Sequence, residues 1–446
     1  MKWKIFTRRT QASASLLCVA LAGCATYQPQ PLPTAPDLSK VAALTVPAKQ
    51  FLLPGLAPHR IPRRGLDEAT VVLMAVCNDP DLKAARLQAG VAKAQMLEAG
   101  LLPNPQFGAG FAQSARNYGG VLSLSEDLQA LITRGATKAA ASAAQRKVHL
   151  NILWQEWQVA EQASQLFIQA RSNEKLQPIL QAEESLLAQR YQADLQAMRR
   201  GDQTANVVSL DLEQLSTAQS SLRQLEISIN QTTHQLDALL GLKPGVSLRL
   251  LPSPSPSALS ASQFQSAVAD LPHRRADLLA LRAGYQSQEE QVRKAILMQF
   301  PAMSAGLNLE RDPVEGVNSF GPQVSLTLPI FNHNQGQIAI QRATRAVLRQ
   351  TYQARLDTAT NQAHEVWRGD HILAAQIRNL DTELPQLRNR AEAAKASLEQ
   401  NNLDAAAYVA METGYLAKRE EAVRLRASLD SSRAVLHILL GLPLDR

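Results

Sequence analysis

QLDALLGLKPG (235–245) returns at the end of the chain as VLHILLGLPLDR (435–446). Leu239-Leu240-Gly241-Leu242 becomes Leu439-Leu440-Gly441-Leu442. The correspondence extends backwards without gaps. Val208, Leu215, Leu222, Ile229 and Leu236 form an apolar row with a seven-residue step, and residues 200 positions later read Tyr408, Tyr415, Ala422, Leu429 and Leu436. One heptad row written twice points to helices packed as coiled coils. Upstream, Asp81-Leu82 leads to Pro105 and PQFGAG, as Asp277-Leu278 leads to Pro301 and PAMSAG, over the same spacing. The chain is a tandem duplication, with units near 66–242 and 263–442, and that repeat constrains any fold.

The N-terminus reads as a processing signal. Lys2, Lys4, Arg8 and Arg9 precede ASASLLCVALAG, an apolar run too short for a stable transmembrane helix. It ends in Leu21-Ala22-Gly23-Cys24, small residues before a cysteine, similar to a bacterial lipobox in which Cys24 takes lipid after residues 1–23 leave. Loss of those four basic residues lowers the formal charge from +7 to +3, so basicity gives no case for a nucleic-acid partner. Cys18 would leave with the signal and Cys24 would carry lipid, which leaves Cys77 without a disulfide partner. Residues 24–64 read as a tether, because eight prolines between 28 and 62 keep it extended. A second Pro/Ser-rich break, residues 243–262, separates a first repeat at 65–242 from a second at 263–446.

Each repeat predicts the order helix, helix, strand, strand, long helix, long helix. GLDEATVVLMAVCND opens the first with acids in its first turn. QFGAGFAQSA and GGVLSLSEDL, then AMSAGLNLER and FGPQVSLTLP, are read as strands; VLSLS and VSLTL alternate with period two, and each segment is about ten residues, the length of a tilted membrane strand. The long helices are expected at 135–200 and 336–401, bent near Pro178 and Pro385, with turns at Gly201-Asp202 and Asn402-Leu403. A helix of about 66 residues runs roughly 100 Å, and the shorter helices 79–102 and 203–241 together match it. The expected unit is one long helix flanked by two short ones stacked end to end. Four membrane strands cannot close a barrel, and open edges are not tolerated in lipid. Three chains would supply twelve strands and a ring of helices, which makes a homotrimer the expectation.

No enzyme constellation emerges. His364 and His371 share a helix face without a completing carboxylate or thiol, so they read as a solvated face and no metal site or cofactor is assigned. GAG at 108–110 leads into a strand pattern and is no phosphate loop. Glu183-Glu184 and Glu289-Glu290 read as exposed helix charges.

LDEA (66–69), NDPDL (78–82), LPNPQF (102–107), FNHNQG (331–336) and the two LLGL endings resemble the TolC-like outer-membrane efflux family over about 66–442. FNHNQG is especially similar to lipoprotein members linked to metal-cation or drug efflux. The resemblance implies a mainly α fold with a small β portion. Long coiled-coil helices and four transmembrane strands per chain would form a twelve-stranded barrel and an α-helical barrel as a trimer. It implies a passive exit duct in the outer membrane, extending into the periplasm and held also by lipid. Its partners would be a periplasmic adaptor and an inner-membrane pump, with drugs or metal cations as cargo. A type I protein-secretion duct and a non-conducting structural lipoprotein are the alternatives; amphipathic strands favour a duct over a spacer.

The chain departs from the family at its helical tips. RYQADLQAMRRGDQT (190–204) places Arg199-Arg200 before Gly201, and LEQNNLDAAAY (398–408) places Asn402 where glycine is usual. ADLPHRRADL (269–278) departs from the usual Arg-Pro-Asp. The family closes its resting duct at these tips, which makes Arg199, Arg200, Asp202, Glu399, Asn402 and Asp404 the expected gate residues. Loops 115–120 and 311–318 are expected to face outward.

Overall fold

A computed structural model describes residues 27–40, 65–114 and 118–442. Cys24, the signal segment, most of the tether and 115–117 of the first loop lie outside them. Residues 27–38 carry no helix or strand.

The first repeat holds helices α1 (Glu68–Asn78) and α2 (Pro80–Gly100), strands β1 (Gln106–Gln113) and β2 (Tyr118–Asp127), and helices α3 (Leu128–Arg200) and α4 (Ala205–Leu239). The second holds α5 (Ala261–Ala269), the short α6 (Leu271–Arg274), α7 (Ala276–Leu297), β3 (Met303–Arg311), β4 (Asn318–Leu326), α8 (Gln335–Glu399) and α9 (Ala405–Leu439). The duplicated order is present, with α6 an extra turn.

Local chemistry sets these boundaries. Asp67 Oδ1 accepts the Thr70 N–H at 2.9 Å and Asp79 Oδ1 accepts the Leu82 N–H at 2.7 Å, capping α1 and α2. Pro80 occupies the first turn of α2, where a missing N–H costs nothing. Asp127 Oδ1 accepts from Gln129 N–H, so α3 starts at Leu128 and passes through Gly135. That makes α3 73 residues, or about 110 Å. α3 runs unbroken through Pro178 and α8 through Pro385.

The two shorter helices flank each long one in series. Along α3, Arg134 donates to the Gly100 carbonyl and Arg86 of α2 pairs with Glu156 at 2.7 Å. Farther along, Asn173 meets Ser228 and Glu184 meets Gln219, both partners on α4. α8 repeats the scheme: Arg345 and Arg355 meet Glu289 and Asp277 of α7, then Asp370 meets Arg433 of α9. α3 also packs on α7 and α9, which joins the repeats.

The main core lies where those halves meet. Val71, Met74, Trp157, Phe167, Leu236, Leu240 and Ile438 are buried there together. Beside it, Phe264 stacks on Trp367 at 4.6 Å. His364 meets Phe264 edge-on and His371 meets Trp367 edge-on, so these exposed histidines serve aromatic packing. The linker is pinned: Leu66 N–H donates to the Arg249 carbonyl at 2.8 Å, Leu251 N–H to the Leu66 carbonyl at 2.8 Å, and Ser39 N–H to the Gly241 carbonyl at 3.0 Å. Arg275, 2% exposed, reaches Asp277 at 2.8 Å and lies 4.9 Å from the Trp154 ring. Cys77 is buried and free, and burial pushes its thiol up to about 11.

The paired glutamates are less exposed than expected. Glu183, Glu184, Glu289 and Glu290 are all half-buried, and Glu289 pairs with Arg345 at 3.1 Å. Neighbouring helices shield one side of each.

Candidate functional site

The four strands form one antiparallel sheet in the order β1-β2-β3-β4. The repeats are therefore stitched together by β2 and β3, and β1 and β4 are left as its edges. Opposite partners in an antiparallel ladder project to the same face, so the register sorts every strand residue.

One face is apolar. Phe107 stands opposite Leu124, and Leu122 opposite both Ala109 and Leu309. Leu309 stands opposite Phe320, Ala305 opposite Val324, and Met303 opposite Leu326. Most of these large apolar side chains are exposed to solvent in the single chain. The other face is small and polar apart from Val121, which stands opposite Gly110 and Glu310. Gly108 stands opposite Ser123, Ser123 opposite Asn308, and Ser125 opposite Gly306. Gly306 stands opposite Gln323, Ser304 opposite Ser325, and Glu310 opposite Ser319. Gly306 is required for close strand approach, because a Cβ there would strike the Leu124 carbonyl oxygen.

The loop after β3 is ordered by Asp312, whose Oδ1 accepts N–H groups from Val314 at 2.6 Å and Glu315 at 3.0 Å. The Glu315 and Val314 amides hold that carboxyl below its usual range. At the opposite end of the helices lie the two hairpin turns. Gly201 takes the left-handed conformation at φ 86°, and Asp202 N–H donates to the Ala197 carbonyl at 2.9 Å. In the second turn the left-handed residue is Asn401 at φ 56°, not Asn402. Asn401 lies 200 positions after Gly201, so the duplication locates the cap better than turn composition does.

Arg199, Arg200, Asp202, Glu399, Asn402 and Asp404 are all exposed. Arg200 Nε meets Asp202 Oδ2 at 3.1 Å, a pair within one turn that ties no two helices together. Asn402 Nδ2 donates to Gln400 Oε1 at 3.3 Å. The cross-hairpin ion pair that sequence reading missed lies about two turns behind the tip, where Arg190 Nε of α3 meets Asp211 Oδ1 of α4 at 2.8 Å. Its signal was available: Asp211 is a charge on the seven-residue row of Ala218, Leu225, Thr232 and Leu239, and all five are buried.

Among the described residues no group of histidines, cysteines and carboxylates is arranged to hold a metal ion, and no helix is long and apolar enough to cross a membrane. No protein-family model and no curated relative matches the sequence. Solved structures do match. The outer-membrane channel OprN superposes with a TM-score of 0.71 at 13% identity, over 95% of this chain and 100% of that one. CusC, described in terms of transmembrane channel formation, gives 0.68 at 15% identity, over 92% and 99%. The Campylobacter jejuni CmeC outer membrane channel gives 0.68 at 14% identity, over 94% and 95%. Sequence identity this low carries the architecture alone, and on that architecture the chain has the TolC-like fold of outer-membrane efflux channels.

Proposed function

We propose that this chain is a passive outer-membrane duct for efflux, closed as a trimer by β1 of one copy pairing with β4 of the next. The observation that carries it is the two-faced sheet with two free edges. An apolar face of Phe, Leu and Val suits lipid, and a Gly/Ser/Asn/Gln face suits a water-filled lumen. Strands of 8 to 10 residues span about 26–33 Å, or roughly 20–25 Å of membrane at a tilt near 40°. An unpaired edge in lipid costs several kcal/mol for each backbone group, so closure is demanded by the sheet itself.

The helices then continue the tube into the periplasm, and their tips are where a periplasmic adaptor and an inner-membrane pump would dock. Cys24 supplies the lipid anchor. Ser39 is held against Gly241 and Lys243. The 15 steps from Cys24 to Ser39 reach about 47 Å if extended, against about 32 Å for the 21 residues of α2. The tether is thus long enough to return to the membrane. Drugs and metal cations are the proposed cargo, since a lumen of small polar groups offers no chemistry of its own.

Cysteines at Glu315 and Asp202 test the topology. The Glu315→Cys protein should react with an impermeant thiol reagent on intact cells and the Asp202→Cys protein should not. The mass in mild detergent should be that of three chains. A monomer, or the reverse labelling, would overturn the assignment.

A further inference from the structure

The seam between α3 and α4 carries a cluster that the duct wall does not need. Arg190 Nε lies 2.8 Å from Asp211 Oδ1 and 3.5 Å from Asp194 Oδ2, so two carboxylates share one guanidinium. Asp211 is 1% exposed. The charges touch, but the Arg190 Nε–H is poorly aligned with Asp211, so the carboxylate is held by contact more than by a well-directed hydrogen bond. A buried carboxylate in that condition is costly. The duplication makes it specific to one hairpin, because the positions 200 residues on are Ala394 and Met411.

We propose that Asp194, Arg190 and Asp211 form an acid-tightened clasp across the first helical hairpin, so that packing of the last turns before the α3–α4 tip depends on pH. With both carboxylates ionised the cluster has one negative charge in excess. A proton held between them removes that charge and gives Asp211 and Asp194 a well-directed hydrogen bond to share. The groups facing Asp211 are Arg190 and Asp194 from α3. α9 packs on the same layer through Tyr408 and Val409, beside Leu187 and Leu215. Glu412 and Glu399 lie near enough to Tyr408 to raise its hydroxyl further after burial has done so. At Asp211 itself the Asp194 carboxylate adds negative potential and Arg190 opposes it.

Burial first, then the Asp194 carboxyl, pushes Asp211 up to about 6. The pKa in the packed seam is raised, so the packed seam binds the proton more tightly than an opened one. Local stability therefore grows as pH falls through about 6 and is lost again as pH rises through it. What the clasp would regulate, the inner mouth of the duct, rests on the function proposed above; the clasp itself does not.

Amide hydrogen exchange on the full chain in detergent, corrected for intrinsic rates, tests it in segment 186–215. Wild-type exchange should be about tenfold or more slower at pH 5 than at pH 7.5, while segment 405–415 of the second hairpin changes little. Asp211→Asn should be slow at both pH values. Asp194→Asn keeps the Arg190–Asp211 pair and the burial of Asp211, so it should reduce the slope without abolishing it, which keeps the test decisive where one variant does not fold. A flat wild-type profile, an unchanged slope in either folded variant, or an equal change in 405–415 would overturn the clasp. Conductance is a separate readout, so a duct that fails to conduct and a clasp that fails to titrate are distinguishable.

Discussion

Leu124 on β2 lies directly opposite Leu307 on β3, and that pair joins the two repeats at the middle of the sheet. Each repeat alone would contribute an isolated two-stranded hairpin, which is marginal in water and unclosed in lipid. The duplication joins two hairpins into one four-stranded sheet, pairing β2 with β3 and leaving β1 and β4 as its edges.

A charge on the two faces should have opposite consequences. Leu307→Lys puts an ammonium on the apolar face near its centre and should destabilise the membrane-inserted assembly by about 2–4 kcal/mol. Asn308→Lys, one residue on, points to the small polar face and should be tolerated. Dissociation of the reconstituted oligomer on heating reads the difference. Equal loss in both variants would contradict the assignment of faces.

Arg275 should be the costliest single truncation among the charged residues of the core. It bridges Asp277 and the Leu439 carbonyl, at 2.8 and 3.3 Å, and is 2% exposed. Arg275→Ala should cost about 3–5 kcal/mol, whereas the apolar, similarly long Arg275→Met should cost less because it refills the space. Thermal unfolding of the helical signal measures both.

Lipid attachment at Cys24 predicts incorporation of labelled palmitate into wild type and none into Cys24→Ala. Stable anchoring by acyl chains needs more than one signal, which a diacylated, N-acylated cysteine provides. In the proposed duct the variant should still form trimers, because a closed barrel would hold the membrane without the lipid. Equal labelling of both proteins would remove the anchor.

The tip carboxylates should matter to conduction and little to stability. The Arg200–Asp202 pair is 65% exposed on each side, and such pairs contribute about 0–1 kcal/mol. Asp202→Ala with Asp404→Ala should leave the melting temperature near wild type. Conductance should rise and cation preference fall, most clearly at low salt, where screening is weak. Unchanged conductance and selectivity would place the constriction elsewhere along the tube.

The parts legible in the sequence were those written in short-range periodicity. The seven-residue rows point to the coiled coils, alternation in VLSLS and VSLTL points to β2 and β4, and the repeat places β1 and β3 beside them. The pairing of β2 with β3 was not legible, because its partners are more than 170 positions apart and no local pattern specifies them. A helix expected from 135 starts at Leu128, because the Asp127 cap carries it seven residues earlier and it runs through Gly135. Asn402 was chosen for the left-handed cap by residue type, whereas the offset from Gly201 points to Asn401. Asp211 is not legible as a functional residue in the sequence, because a charge on an apolar row gains meaning only from its partner, Arg190, across the seam.

The central claim is that the small polar face lines a continuous water-filled path, and ion conductance of the purified oligomer in planar bilayers tests it most directly. The expected result is discrete, stable current steps that disappear when the apolar-face variant Leu307→Lys fails to insert. A membrane-inserted trimer that passes no current under any applied voltage, with the tip carboxylates intact or replaced, would contradict it.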